Sequence, residues 1–434
     1  MMRKLLQTAA GVLLAVLRQL DRVLYGSVSP LSQDEGGRDP YKAYRHGLSH
    51  GRVLRSLANR GWLVMGFEEV QALFLDSRFS SDVRTNKFIS RLVRAAAKGE
   101  SVPLLDDPTM INRDPPDHTR LRKLVQQGFL HKYVLSLEPR IESIVARCLD
   151  SYDSGTGQFD ILEQLAKPLP AIVIAEMLGL PEKDMFRFQD MSNRLLGLTA
   201  LGNDEMMEAG ALANEQLVDY FKEVIEQKRK TPGQDLIGRL IDAEEEGDRL
   251  SAEEMYSTCV LLLVAGHETT TRLISNGMYA LLQHPDQLQM LRRDPSLMPN
   301  AIEEMLRYEP PVQFMARFAS CDMEFFGKKI KKNQMILPII GSANRDPKAN
   351  ENPDEFDVTR ENIKHVSFGH GIHLCLGLNL ARLEAKVAIN ALLKRFPDMR
   401  LAEQEIVWTK IPLVRGMENL LIDVDEGAVT TEAA

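Results

Sequence analysis

Cysteine is scarce in this chain, whose 434 residues include only Cys148, Cys259, Cys321 and Cys375. The four lie far apart with no C-x-x-C pair, which excludes a disulfide framework and a zinc ribbon and suits a reducing, cytoplasmic setting. Three of them read as small apolar residues; only Cys375 has an informative neighbourhood. Positive charge is not in excess, since 53 Lys and Arg stand against 61 Asp and Glu for a net charge of −8. No nucleic-acid partner is expected, because that function calls for a clustered basic surface. Also missing are a Rossmann G-x-G-x-x-G, a flavin module and a four-cysteine iron–sulfur spacing, so any electrons the chemistry needs must come from a separate protein. Long apolar runs are absent too. The best candidate, near the N-terminus, is broken by Arg18, Asp21 and Arg22, well short of the ~20 residues a membrane span requires.

What that N-terminal segment does contain is helical spacing. Leu5, Leu6, Ala9, Val12, Leu13, Val16, Leu17, Leu20, Val23 and Leu24 recur on one side, with Gln7, Arg18, Gln19 and Arg22 opposite. Residues 1–25 are therefore expected to form an amphipathic helix, lying on a membrane at its cytoplasmic face or packed on the protein, with a cleaved targeting signal as the third reading. A polar, Gly-rich stretch from Ser29 to Asp39 reads as a linker. Residues 39–425 show no further composition break or repeat, and read as one large domain, mainly α with small β-sheets. A composition of 44% hydrophobic and 26% charged residues can bury a core that encloses a cofactor.

Short strands are expected at Trp62–Met65, Met323–Phe326 and Met335–Ile339, the last two bracketing a Gly-Lys-Lys turn. The clearest helix spans about 251–284. Ser251 and Glu254 form a capping box at its start, and Pro285 ends it. Its middle reads Val264-Ala265-Gly266-His267-Glu268-Thr269-Thr270-Thr271, and a glycine with three threonines is a poor choice for a buried helix interior. That composition implies a selection other than helix stability.

The segment Phe368-Gly369-His370-Gly371-Ile372-His373-Leu374-Cys375-Leu376-Gly377 carries the sharpest signal. Two glycines before the cysteine allow a tight loop to approach a flat cofactor. Gly377 opens a helix, which places Cys375 where the dipole and free N–H groups favour a thiolate. Such a thiolate can ligate haem iron and push electron density onto it. A buried cysteine in a Gly-rich turn, or a zinc site of His370, His373 and Cys375, are the competing readings of the segment alone.

Together with four further motifs in order, this segment resembles the cytochrome P450 superfamily, and specifically its soluble bacterial branch, from about Asp39 to Asp425. The resemblance implies haem b (iron protoporphyrin IX) with Cys375 as axial thiolate and metal ligand. Phe368, Gly369 and Gly377 shape the loop around it. It implies that His118 and Arg122, in Asp114-Pro115-Pro116-Asp117-His118-Thr119-Arg120-Leu121-Arg122, hold the haem propionates with Arg317 and His373. In Ala265-Gly266-His267-Glu268-Thr269, Gly266 lets the helix open above the iron, Ala265 borders the haem, and Glu268 and Thr269 are the catalytic pair that delivers protons. Peroxide-using relatives typically lack such a pair, so dioxygen and a redox partner (a ferredoxin with its reductase) are implied. Glu304 and Arg307 form a structural pair completed by Arg360. Ala343–Pro347 and Pro353–Asp357 resemble the segments that lead into the haem loop. Arg120, Lys123 and Arg382 are expected on the cysteine side, where they would steer an acidic electron carrier.

The distal pocket is expected from residues 84–111, 185–207, 261–269 and 311–314. The apolar residues there, among them Phe88, Ile89, Leu92, Leu195, Leu196, Leu198, Val312 and Phe314, point to a lipophilic substrate. The leading expectation is a haem-thiolate monooxygenase; a haem-thiolate peroxygenase, dehydratase or oxidative coupling catalyst, or a non-enzymatic haem sensor or zinc protein, are the alternatives.

Overall fold

A computed structural model describes residues 16–21, 23, 39–87, 90, 91, 108–152, 154–199, 204–231, 233–245 and 250–424. Seven of its helices position the site: α1 (Pro40–His50), α2 (Phe67–Leu75), α3 (Asp117–Val125), α4 (Pro168–Leu178), α5 (Ala252–Gln283), α6 (Met298–Tyr308) and α7 (Leu378–Arg395). The strands are short: β1 (Val53–Ser56), β2 (Gly61–Val64), β3 (Phe79–Ser80), β4 (Gln158–Asp160), β5 (Arg317–Ala319), β6 (Met323–Phe325), β7 (Lys328–Ile330), β8 (Met335–Pro338), β9 (Arg400–Leu401) and β10 (Leu421–Asp423). They form a five-stranded sheet in the order β1-β2-β8-β5-β3, a three-stranded sheet β4-β10-β9 and the hairpin β6-β7. The mainly α architecture with small sheets is the one expected.

Helix α5 is 32 residues long, about 48 Å at 1.5 Å per residue, and its capping box is formed. Ser251 Oγ accepts from the Glu254 N–H at 3.2 Å, and Glu254 Oε2 accepts from the Ser251 N–H at 2.9 Å. Buried residues run along it from Met255 to Leu282, so it passes through the core. The odd composition of its middle now has reasons. Thr271 Oγ1 donates to the Ala166 carbonyl at 2.9 Å and ties the helix to the chain before α4. Thr269 Oγ1 and Thr270 Oγ1 donate back to the Ala265 and Gly266 carbonyls.

The strand readings need one correction. Gly327-Lys328-Lys329 is not a turn between Met323–Phe326 and Met335–Ile339. Phe326 and Gly327 both have positive φ and make the two-residue turn, and Lys328 and Lys329 belong to β7, which pairs with β6. β8 lies in the other sheet, parallel to β2.

Most of the 1–25 helix lies outside the described residues, as does the linker before Asp39. Residues 16–21 and 23 are helical, and Asp21 is buried. It accepts from Ser56 Oγ at 2.9 Å and from the Leu57 and Ala58 N–H groups at 2.6 and 3.0 Å, holding the helix to the β1–β2 turn. Val16, Leu20 and Val23 remain exposed. Among the described residues no helix is long and apolar enough to cross a membrane.

Candidate functional site

The loop before α7 is built around two backbone conformations that side chains resist. Gly369 and Gly371 both have φ near +70°, and a Cβ on Gly371 would meet the Phe74 carbonyl oxygen, at the end of α2, at 2.7 Å. The loop closes when the Cys375 N–H donates to the Phe368 carbonyl at 2.8 Å. Gly377 caps α7, and its N–H is directed to the Cys375 sulfur. Cys375 lies deep in the molecule yet is open on one side. Burial pushes its thiol up, against the lowering effects of the Gly377 N–H, Arg122 and Arg382. The Gly377 N–H at the start of α7 and the two guanidinium groups favour the anion, as the expected thiolate requires, and a bound iron would add a further cation at the sulfur.

Four nitrogen donors expected around the propionates are grouped near this loop. His118 is buried on α3, its ring 4.3 Å from that of His373, and the Ile372 backbone beside it gives neither ring nitrogen a well-formed hydrogen bond. Arg122 Nη2 donates to the Leu374 carbonyl at 2.7 Å. The buried Arg317 donates to the Ala316 carbonyl at 2.8 Å and lies over the Phe74 ring. Burial brings its guanidinium down to about 10, partly opposed by Asp114. Burial, then Arg317, His118 and Arg122, hold His373 down to about 3. The nearby carboxylate of Asp114 is occupied by Ser80 Oγ (2.5 Å) and the Ser81 N–H (2.9 Å). Two guanidinium groups and a buried imidazole without a well-formed hydrogen bond are what an anionic group would satisfy, so the donor set fits haem propionates. Sequence reasoning missed Ser81, whose Oγ lies 2.9 Å from His373 Nε2 and fixes that ring.

On α5, Ala265 is exposed and Thr269 half-exposed, although the helix on either side is buried. Glu268 is buried, and its Oε1 accepts from Arg272 Nε at 2.8 Å and from Arg272 Nη2. Gly266 lies within the continuous helix α5, and its missing side chain admits Ile174 of α4, whose Cγ1 a Cβ would approach to 2.9 Å. Arg272 was not singled out from sequence, although its spacing four residues after Glu268 is that of a helix ion pair.

Glu304 and Arg307 on α6 are fully buried and doubly bonded at 2.6 and 2.7 Å, and Arg360 Nε reaches Glu304 Oε1 at 3.1 Å, as expected. The expected steering patch is largely committed elsewhere. Arg120 pairs with Glu254 and Asp117, and Arg382 pairs with Glu303 at 2.6 Å and lies over the Phe368 ring; Lys123 is exposed. Cys148 and Cys259 are buried as expected, but Cys321 is exposed. Phe314 is buried in a core cluster with Tyr41, Tyr44 and Leu63. Phe88, Ile89 and Leu92 lie outside the described residues. Among the described residues, no three His, Cys, Asp or Glu side chains are grouped as a metal site, which leaves a zinc site of His370, His373 and Cys375 without geometric support.

Arg382 and His365 bracket Glu303, with His365 Nε2 2.9 Å from Oε2. Burial would raise the Glu303 carboxyl, but its bonds to Arg382 and His365 outweigh that and bring it down from 4.5 to about 2. A carboxyl depressed on folding stabilises fully above its unfolded value, and the benefit is lost as pH falls from about 4.5 through about 2. The ceiling is about 3 kcal/mol, reduced by the solvent that reaches part of the carboxylate. In acid-induced unfolding, Glu303→Gln should be less stable than the parent chain at pH 6, and the gap should close by pH 2. A gap independent of pH would rule the pair out as its source.

A sequence model of the family described as Cytochrome P450 matches residues 83–410. The chain is 43% identical over 363 residues to Cytochrome P450 107B1 of Saccharopolyspora erythraea, covering 83% of this chain and 88% of that protein. It is 39% identical over 406 residues to 6-deoxyerythronolide B hydroxylase of the same organism, covering 92% and 99%. Among solved structures, P450BioI in complex with an acyl carrier protein ligated by hexadec-9Z-enoic acid superposes with a TM-score of 0.82 at 36% identity, covering 90% of this chain and 100% of that one.

Proposed function

The chain belongs to the cytochrome P450 family, whose members bind haem b through a cysteine thiolate, and from that premise we propose that it is a monooxygenase that takes electrons from a ferredoxin-type partner and inserts one atom of dioxygen into a lipophilic small molecule. Cys375 is the residue that would hold the iron, and His118, Arg122, Arg317 and His373 would hold the propionates. Ala265 and Gly266 would border the ring, with Phe368, Gly369 and Gly377 setting the loop. When bound, the haem supplies the iron chemistry that activates dioxygen.

The chain's own residues handle protons. The observation that carries the reading is the break in burial at Ala265 and Thr269, in the mostly buried middle of α5, with the carboxylate of Glu268 next to the Thr269 hydroxyl in sequence. Thr269 Oγ1 gives its proton to the Ala265 carbonyl at 2.9 Å, which leaves its lone pairs to accept from a water or a substrate hydroxyl. Glu268 Oε1 is taken by Arg272, so Oε2 is the oxygen left to exchange a proton. Leu195, Leu196, Leu198 and Val312 are not all sealed in the core, which supports an apolar substrate. The names of the relatives, a hydroxylase of 6-deoxyerythronolide B and a P450 bound to a fatty-acyl carrier protein, support a substrate with a long carbon skeleton.

The test is coupling. With substrate, dioxygen and an electron donor, Thr269→Ala should keep consuming electrons while product falls at least roughly tenfold and peroxide rises. Unchanged coupling in Thr269→Ala, or peroxide alone supporting product as fast as dioxygen with the donor, would defeat the monooxygenase reading.

A further inference from the structure

The carboxylate of Glu268 is not free on its helix. Arg272, one turn further along α5 and only 4% exposed, donates to Glu268 Oε1 from Nε at 2.8 Å and again from Nη2. Its remaining nitrogen, Nη1, donates to the Met417 carbonyl at 2.6 Å. The guanidinium thus spans two pieces of chain 145 residues apart. The space it occupies depends on Gly416: a Cβ there would lie 2.1 Å from Arg272 Cδ and 2.7 Å from Nε. The same segment is tied to α5 one turn later, where Asn276 Nδ2 donates to the Arg415 carbonyl at 3.0 Å. On its other side it reaches the expected pocket wall, with the Arg415 N–H donating to the Pro311 carbonyl at 2.7 Å.

The other oxygen of Glu268 has a different neighbour. His267 Nε2 is 3.9 Å from Oε2 and buried without a hydrogen-bond partner, while Nδ1 is 2.9 Å from the Leu263 carbonyl and so carries the proton. Nε2 and Oε2 are then two acceptors facing each other across a gap too long for a direct bond. One proton donor between them, such as a single water, would satisfy both.

We propose that Arg272, seated against Gly416 and the Met417 carbonyl, is the positioning residue for Glu268. It fixes the carboxylate through Oε1 and leaves Oε2, beside His267 Nε2, as the only oxygen able to pass a proton. The proposal rests on the reading of Glu268 as the acid of the site. It adds that the acid's position is set by a cation on its own helix and by the 415–417 segment, and not by the haem. A buried carboxylate that loses its cation is driven to its neutral form, which provides a readout independent of turnover.

The experiment uses the haem-loaded full chain and the variants Arg272→Met, Arg272→Lys, Gly416→Ala and Glu268→Gln. Infrared spectra should show a new protonated-carboxyl band in Arg272→Met at neutral pH that disappears in Arg272→Met with Glu268→Gln. Glu384, which burial alone pushes well up, contributes equally to every variant and cancels in the differences. Product formed per electron should fall at least fivefold in Arg272→Met with substrate affinity unchanged, and Arg272→Lys should recover part of it. Gly416→Ala, which displaces the guanidinium without removing its charge, should lose coupling as well. If Glu268→Gln leaves coupling intact, the reading of Glu268 as the acid fails. If Glu268→Gln uncouples the reaction but Arg272→Met and Gly416→Ala neither uncouple it nor alter the carboxyl band, the positioning role is overturned.

Discussion

Replacing Cys375 with serine should abolish product formation, by at least a thousandfold, or roughly 4 kcal/mol of transition-state stabilisation, while leaving the polypeptide folded. Serine is close to cysteine in shape, and the bond that closes the loop, from the residue 375 N–H to the Phe368 carbonyl, belongs to the backbone. What changes is the ligand. A thiol held up by burial still yields a soft, electron-donating thiolate when a cation sits on it, with the Gly377 N–H, Arg122 and Arg382 already favouring the anion. A serine hydroxyl, a far weaker acid and a harder donor, has no comparable route in the same pocket. Product assays with a saturating electron donor, beside circular dichroism and melting of the same samples, separate the loss of ligand from the loss of fold. A Cys375→Ser protein that keeps a tenth of the parent activity would show that the sulfur is not the axial ligand.

The second large effect concerns stability. Arg307→Met should cost about 3–5 kcal/mol, because it strands a fully buried glutamate. Glu304 would keep Arg360, at 3.1 Å, but lose the fork that now holds both its oxygens. Arg307 also donates to the Pro353 carbonyl at 2.6 Å and the Glu355 carbonyl at 2.8 Å, and both contacts would be lost. The consequence reaches the site through Asn344, whose Oδ1 accepts from the Val366 N–H at 2.9 Å and whose Nδ2 donates to Ser367 Oγ at 2.8 Å. Those two residues lead directly into the Cys375 loop. A total stability of about 5–15 kcal/mol leaves little margin for such a loss, so haem content should fall with it. Arg307→Lys keeps the charge but not the planar fork, and should recover only part. Urea unfolding of the three proteins gives the values; a loss below about 1 kcal/mol in Arg307→Met would mean the pair is not a structural keystone.

Local chemistry was legible in the sequence wherever one residue type has one use. The capping box at Ser251 and the stop at Pro285 gave helix α5 to within a residue at each end. Glu304, Arg307 and Arg360 came together because three charges without water need each other. The loop glycines matched a backbone that only glycine adopts easily. Other features depend on residues distant in the chain and could not be read locally. Gly266 serves Ile174 of α4, and Gly416 serves Arg272 of α5. The turn at Phe326–Gly327 escaped the sequence reading because lysines suit both a turn and an exposed edge strand.

The most direct test of a thiolate-ligated haem in this chain is the absorption spectrum of the purified protein, reduced and exposed to carbon monoxide. A strongly red-shifted Soret band is the result expected if Cys375 holds the iron as a thiolate. A band at the position given by a histidine-ligated haem, or a protein without colour, would contradict it.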